Sequence, residues 1–92
     1  MEQDLLGIIN NYGYRNQLRK LNEECYELME SIRDYEDPGA RFALKKHIIE
    51  ELADVTVMLK QFQAYYGITD EEIEEVMLYK IERQKKRMED EK

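Results

Sequence analysis

The chain has 92 residues, of which 38% are charged, and its formal net charge is −7. A chain of this length forms one small domain with a thin core, so we treat residues 1–92 as a single domain. The acidic balance argues against a nucleic acid polymer as a partner, because like charges repel. The single cysteine, Cys25, excludes an intramolecular disulfide and a cysteine-based zinc site, and it is consistent with a reducing compartment.

The sequence also lacks the usual signs of a membrane protein. No apolar run approaches the roughly 18 residues of a membrane span. The N-terminal segment MEQDLLGII has no basic leader before its apolar residues. These observations predict a soluble, cytoplasmic protein without a membrane partner.

Helical periodicity, together with a composition that includes only one proline, predicts an all-α fold of four helices. The first helix is short, spans about residues 3 to 12, and ends at Gly13. The second spans about residues 14 to 35 and is stopped by Pro38 and Gly39. Its apolar stripe, which we expect to be buried, comprises Leu18, Leu21, Cys25, Leu28, Met29 and Ile32.

The third helix is predicted over about residues 41 to 66 and closes at Gly67. Because its connection to the second helix is short, we expect these two long helices to pack antiparallel. Thr69 and Glu72 form a capping-box pattern that starts the fourth helix, and about residues 84 to 92 are expected to fray. The expected core residues of the third helix are Leu44, Ile48, Leu52, Val55, Leu59 and Phe62.

Two pairs of acids lie beside these apolar stripes. At about 100° of rotation per residue, Glu51 lies near the centre of the apolar face of the third helix and Asp54 at its edge. Glu24 and Glu27 follow one border of the second helix, in a polar column with Gln17, Lys20 and Ser31. The two pairs are nearly equidistant from the turn, so antiparallel packing would bring four carboxylates level. Four carboxylates held close together repel one another, and a divalent cation compensates for that repulsion. Carboxylate oxygens as ligands favour Mg²⁺ or Mn²⁺.

A solvated surface is the alternative interpretation of the same acids. Acids spaced three apart beside lysine and arginine usually form weak, exposed ion pairs. His47, the only histidine, lies on the same border of the third helix as Glu51, either as a substrate contact or as an exposed residue without a role. No Glu-x-x-His pair is present, which excludes the ligand pattern of di-iron bundles.

The segments that carry these acids resemble a known family. GYRNQLRKLNEECYELMESI, EELADV and YKIERQ are similar to segments of the all-α nucleoside triphosphate pyrophosphatases, in the MazG-like branch. That family has an E-E-x-x-E block followed by an E-x-x-D block. Here Glu23, Glu24 and Glu27 match the first block, and Glu51 and Asp54 match the second. The resemblance covers the second to fourth helices.

The resemblance implies both a fold and an activity. The expected fold is a four-helix MazG-like bundle with a short first helix and two long antiparallel central helices. The expected activity is Mg²⁺-dependent hydrolysis of a nucleoside triphosphate between its α- and β-phosphates, which gives a monophosphate and pyrophosphate. The chain is expected to self-associate as a homodimer or homotetramer, and Leu5, Ile8 and Ile9 are one candidate patch for this.

The resemblance also assigns roles to individual residues. The expected metal ligands, which are also the catalytic residues, are Glu24, Glu27, Glu51 and Asp54. Phosphate contacts are expected from Lys80, Arg83 and Lys20. The family places the base pocket near the first helix and the start of the second, where Asn10, Tyr14 and Gln17 are the candidates.

One departure from the family leaves the substrate open. Members often carry an asparagine shortly before the lysine of the last motif, whereas here Met77, Leu78 and Tyr79 precede Lys80. The preferred base and sugar therefore stay undetermined. The alternative to an enzyme is a non-catalytic helical module that binds nucleotides or proteins and keeps the fold. The intact set of four acids argues against that alternative.

Overall fold

The structure, a computed structural model, describes residues 1–35 and 41–92, with the backbone alone for residues 41–44. It contains four α-helices and, within those residues, no strand, which confirms the predicted all-α fold. The predicted turn at Pro38 and Gly39 lies outside the described residues. The helices are α1 (Glu2–Tyr12), α2 (Tyr14–Asp34), α3 (Arg41–Tyr65) and α4 (Asp70–Asp90).

Two glycines end helices where the sequence predicts. Gly13 has a φ of 95° and donates its N–H to the Ile9 carbonyl, which ends α1 and redirects the chain into α2. Gly67 has a φ of 67° and follows the end of α3. Both conformations are left-handed and are strained for residues with a Cβ, so glycine is the residue that fits them.

The α2–α3 interface is more polar than the sequence predicts. The interior residues of α2 are separated alternately by four and three positions, as in a coiled coil. They are Gln17, Leu21, Glu24, Leu28 and Ser31, of which Gln17, Glu24 and Ser31 are fully buried. The expected interior stripe was wrong in part, because Leu18, Met29 and Ile32 are each about half exposed. The helix therefore packs through its polar column and leaves an apolar face outside.

The interior face of α3 is also rotated from its expected position. Val55 is buried as expected, but Leu52 and Leu59 are about half exposed. The side chains that replace them inside are Glu51, Met58 and Gln61. The rotation follows from α2, since Glu51 and Gln61 of α3 face Glu24 and Gln17 of α2.

Helix α1 packs mainly on α3 and closes one side of the α2–α3 pair. Its Leu5 and Ile9 are buried, and Ile8 is half-buried. The expectation that these three residues form a patch for self-association was therefore wrong, because two of them are used inside the chain.

Helix α4 is not packed on the other three helices. Its first residue, Asp70, accepts hydrogen bonds from Gln63 Nε2 at 2.7 Å and from Lys60 Nζ at 3.4 Å. These two donors lower the pKa of the Asp70 carboxyl. Among the described residues, no Cα atom of α4 lies within 8 Å of a Cα atom of another helix. The helix is regular as far as Asp90, through the segment expected to fray.

The dimensions of the chain reflect this departure. Its radius of gyration is 16.6 Å, whereas a compact chain of this length has about 12 Å. Its accessible surface is 7731 Å², whereas a compact monomer of this mass exposes about 5,700 Å². None of the described helices is long and apolar enough to cross a membrane. The extra surface is thus the surface of a helix that is not packed on its own bundle.

The start of α4 provides a first prediction. Thr69 Oγ1 accepts a hydrogen bond from the Glu72 N–H, and the Glu72 carboxylate accepts one from the Thr69 N–H. We expect Thr69→Ala to weaken this turn by about 1 kcal/mol, which accelerates amide hydrogen exchange in the first turn of α4 about fivefold. The measurement is exchange followed by NMR. Thr56→Ala is the matched control, since the Thr56 hydroxyl only donates to the Leu52 carbonyl of its own helix.

Candidate metal centre

The predicted acids meet in the interface between α2 and α3. Glu24 projects from the interior face of α2, and Glu51 projects from the interior face of α3. The residues are 7% and 8% exposed, respectively, which is unusual for glutamate. On α2, Glu24 lies between Leu21 and Leu28 in the interior repeat, and on α3, Glu51 is followed four residues later by the buried Val55.

Three of the four predicted acids form one compact group. Glu24, Glu51 and Asp54 each offer a carboxylate oxygen, and these oxygens lie within 4.8 Å of one another. Asp54 is exposed, so the group is open to solvent on one side. A buried pair of acids with one open neighbour is an arrangement that a hydrated cation can enter.

Two cationic or ionisable side chains border the group. Lys20 Nζ lies 3.3 Å from one oxygen of Glu24, and this contact raises the pKa of the lysine. His47 Nε2 lies 3.7 Å from one oxygen of Glu51. His47 is thus at the rim of the acids, where the sequence left open a contact role.

The second oxygen of each buried glutamate has no such neighbour. Glu24 Oε2 and Glu51 Oε2 are both inaccessible to solvent and have no hydrogen-bond donor among the described residues. A buried carboxylate oxygen without a donor is costly, and a cation is the usual compensation.

Glu27 lies beside the group, although it is not among the three acids whose oxygens converge. Its side chain is exposed on α2, one turn after Glu24. The pKa of Glu27 is raised, mainly by the negative charge of Glu24. Partial burial and the charge of Glu51 raise it further, whereas Lys20 lowers it. Glu27 is therefore within the electrostatic reach of both buried acids.

The donor set fits a hard divalent cation. All the ligand atoms that the group offers are carboxylate oxygens, which suit Mg²⁺ or Mn²⁺ and not a softer metal. Two of the glutamate oxygens are buried without a hydrogen-bond donor, which leaves them free to bind a cation. The three converging acids, with Glu27 adjacent, are the residues that would hold the ion.

Two of the predicted phosphate contacts are elsewhere in the chain. Lys80 and Arg83 lie on α4 and are exposed. Arg83 Cζ lies 6.0 Å from the centre of the Tyr79 ring, one turn away on the same helix. Because α4 departs from the bundle, a single chain does not bring these two cations to its own acids. Lys20 is the one predicted phosphate contact that the fold brings to them.

Comparison with known proteins decides the family. The model of the MazG nucleotide pyrophosphohydrolase domain matches residues 13–89. The chain belongs to this MazG family. The match begins at the glycine that ends α1 and extends to the last turn of α4, so it includes all four predicted acids as well as Lys80 and Arg83. Comparisons with curated proteins and with solved structures gave no match.

The base-binding candidates of this MazG domain have different environments. Tyr14 packs in an aromatic cluster with Phe62, Tyr65 and Tyr66, and its hydroxyl is hydrogen-bonded to that of Tyr66 at 2.6 Å. Asn10 is exposed on α1. Gln17, three residues after Tyr14 on α2, is buried in the α2–α3 interface.

Gln61 is a residue that the sequence analysis missed. It is 2% exposed, and its Oε1 accepts a hydrogen bond of 2.8 Å from Gln17 Nε2. The signal was present in the sequence as a column of residues on α3 with spacings of four, three, four and three. Its members are His47, Glu51, Asp54, Met58 and Gln61. This column is the counterpart of the polar column on α2.

The raised pKa of Glu27 provides a second prediction. If the charge of Glu24 causes it, Glu24→Gln should return the Glu27 pKa toward its ordinary value of 4.5. The measurement is a titration of the glutamate side-chain carbons by NMR in metal-free buffer. Glu23→Gln, also on α2, is the control and should lower the Glu27 pKa much less. An equal effect of the two variants would contradict the proximity of Glu27 to the buried acids.

Proposed function

We propose that this domain hydrolyses nucleoside triphosphates between the α- and β-phosphates, with Mg²⁺ or Mn²⁺ as its cofactor. The products are a nucleoside monophosphate and pyrophosphate. The observation that supports this most is the convergence of Glu24, Glu51 and Asp54 around two buried carboxylate oxygens without donors, in a chain of the MazG family. A non-catalytic module would have no need to retain the mutual repulsion of these clustered carboxylates.

The acids and Lys20 have separate roles in the proposed reaction. Glu24, Glu27, Glu51 and Asp54 hold the cation, which supplies charge neutralisation for the phosphates and acidifies a water molecule when it is bound. The water oxygen would bond to the α-phosphorus while the bond from that phosphorus to the bridging oxygen breaks. Pyrophosphate would leave with the electron pair, and the proton of the water would pass to solvent. Lys20, at the edge of the acids, is positioned to contact a phosphate oxygen.

We propose further that the site is complete only in a homodimer or a larger homo-oligomer. In such an assembly α4 of one copy packs on the exposed apolar face of its partner, which is how Lys80 and Arg83 reach a set of acids. Surface area supports this, because the chain exposes about 2,000 Å² more than a compact monomer. That excess is of the size buried in obligate dimers.

Apolar exposure and charge support the same arrangement. The apolar side chains of α4 that are more than one-third exposed are Ile73, Val76, Met77, Leu78, Tyr79, Ile81 and Met88. Those left outside on α2 and α3 include Leu18, Met29, Ile32, Leu52 and Leu59. Both sets are larger than a monomer in solution normally exposes. In addition, the second half of α4 is basic, whereas the α2–α3 interface is acidic, so the two surfaces attract each other.

Soluble nucleotides are the proposed substrates, and the proposed location is the cytoplasm. A single cysteine suits a reducing compartment. A net charge of −7 disfavours the backbone of a nucleic acid polymer, whereas a triphosphate accompanied by a divalent cation avoids that repulsion.

The activity is tested with a panel of ribonucleoside and deoxyribonucleoside triphosphates in Mg²⁺ or Mn²⁺. We expect equal amounts of pyrophosphate and monophosphate, and no diphosphate. Glu51→Gln should lower kcat by at least about 100-fold because it removes one ligand of the cation. Glu50→Gln, the neighbouring exposed acid, is the matched control and should keep the wild-type rate. Hydrolysis that survives in Glu51→Gln would reject this site as the catalytic centre.

The assembly is tested by sedimentation at micromolar concentration. We expect a dimer or tetramer for the wild type. Met77→Glu should shift the equilibrium toward monomers by at least about 100-fold in Kd, since it places a charge in an apolar interface. Pyrophosphate release should fall in parallel. Asn11→Glu, which adds the same charge to the exposed side of α1, should leave the assembly intact. A wild-type monomer with full activity would contradict this part of the proposal.

A further inference from the structure

His47, the only histidine of the chain, brings a potential ligand nitrogen to the edge of the metal centre. It precedes Glu51 by four residues and Asp54 by seven residues on α3. At about 100° of rotation per residue, these three side chains lie within about 60° of one another around the helix. One face of α3 therefore presents a nitrogen and two carboxylates in successive turns.

The two ring nitrogens of His47 approach different carboxylates. Nε2 lies 3.7 Å from Oε1 of the buried Glu51, and Nδ1 lies 4.0 Å from Oε2 of the exposed Glu50. Both distances are longer than a hydrogen bond, so neither carboxylate fixes the ring. Nε2 is thus the nitrogen on the side of the metal centre, and no hydrogen bond to Glu51 occupies it.

The distance between His47 Nε2 and Glu51 Oε1 is compatible with a shared cation. Nitrogen and carboxylate ligands lie about 2.1 Å from a small divalent ion, so two ligand atoms of one ion can be up to about 4.2 Å apart. The imidazole stands outside the compact group of Glu24, Glu51 and Asp54, on the side of Glu51. Because its side chain is 53% exposed, the ring has room to turn toward that group.

Helix α2 provides a small side chain at the level of His47. Glu24 approaches Asp54 across the antiparallel interface. Seven residues further along α2 is Ser31, and seven residues back along α3 is His47, so these two residues lie at the same level of the helix pair. Ser31 is 3% exposed and leaves more space for an imidazole than a leucine at this position would.

We propose that His47 Nε2 is a direct ligand of the cation, and that this ligand makes the centre select Mn²⁺ over Mg²⁺. The inference rests on the proposed function, which supplies the metal-dependent site, and it decides between the two ions that the carboxylates accept. Mg²⁺ takes oxygen ligands and keeps several of its waters, so an imidazole adds little to its binding. Mn²⁺ is a first-row transition ion and binds a nitrogen ligand more readily than Mg²⁺ does.

Pulsed EPR of the Mn²⁺-loaded protein, without nucleotide, tests the ligand directly. We expect the wild-type spectrum to show a nitrogen bound to Mn²⁺. In protein without a histidine tag, His47 is the only histidine, so labelling histidine with the heavy nitrogen isotope should change this signal and assign it to His47. His47→Gln should abolish the signal. The spectrum reports ligation independently of turnover.

Calorimetry with Mn²⁺ and with Mg²⁺ measures the selectivity. His47→Gln should lower the Mn²⁺ affinity by at least about tenfold, since even the outer partners of metal ligands contribute that much. The Mg²⁺ affinity should stay within about twofold of wild type. Lys46→Gln, at the neighbouring exposed position of α3, is the matched control and should keep the wild-type ratio of the two affinities. Because His47 is more than half exposed, its variant should keep the helical circular dichroism of the wild type.

Three results would overturn the proposal. A Mn²⁺ complex without a nitrogen signal would reject His47 as a ligand, whereas pyrophosphate release by the same protein would still support the proposed hydrolysis. Equal losses of Mn²⁺ and Mg²⁺ affinity in His47→Gln would reject the selectivity. An absence of binding for both ions would reject the metal centre and the proposed function together. Conversely, a nitrogen signal that depends on His47, in a protein that releases no pyrophosphate, would support the ligand and reject only the proposed reaction.

Discussion

The meeting of Glu24 with Glu51 and Asp54 between two helices is the constraint on which the rest of this structure depends. An interface between two long helices in a small domain normally supplies most of its apolar burial. Here the central positions of that interface are acids, with a glutamine pair on one side of them and a buried serine further along α2. The chain therefore lacks apolar packing in the interface where a four-helix protein of this length normally buries most of its apolar surface.

That loss explains the surface of the molecule. With acids and amides inside, several apolar side chains of α2 and α3 are left on the outer faces, among them Leu18, Met29, Ile32, Leu52 and Leu59. Helix α4 is likewise not packed on a surface of its own chain. Apolar area of this kind is stabilising only when it is removed from water. Folding, cation binding and self-association are thus expected to be coupled, because each compensates for what the interior of a single chain lacks.

The sequence was sufficient for the helices and for the convergence of three of the four acids, but not for the direction in which each helix faces. Glycines at positions 13 and 67 and the capping box at Thr69 are local signals, and the structure has them where they were expected. The interior of α2 was expected at its apolar stripe, through Leu18 and Met29, because burial was assumed to follow hydrophobicity. That rule fails for α2, whose interior face is partly polar and whose apolar face is exposed, and a single sequence does not say which face of the helix packs inside the chain.

The glutamine pair shows what the missing information was. Each glutamine belongs to a column of its own helix that also contains the acids, but the column alone does not say whether its members are exposed or buried. It becomes significant only when the polar column of α2 is aligned with the polar column of α3, so that Gln17 meets Gln61 as Glu24 meets Asp54. The register that brings the acids together also brings the glutamines together, because Gln17 precedes Glu24 by seven residues and Gln61 follows Asp54 by seven residues. One register of the two helices thus places both buried polar groups, and neither helix specifies that register alone.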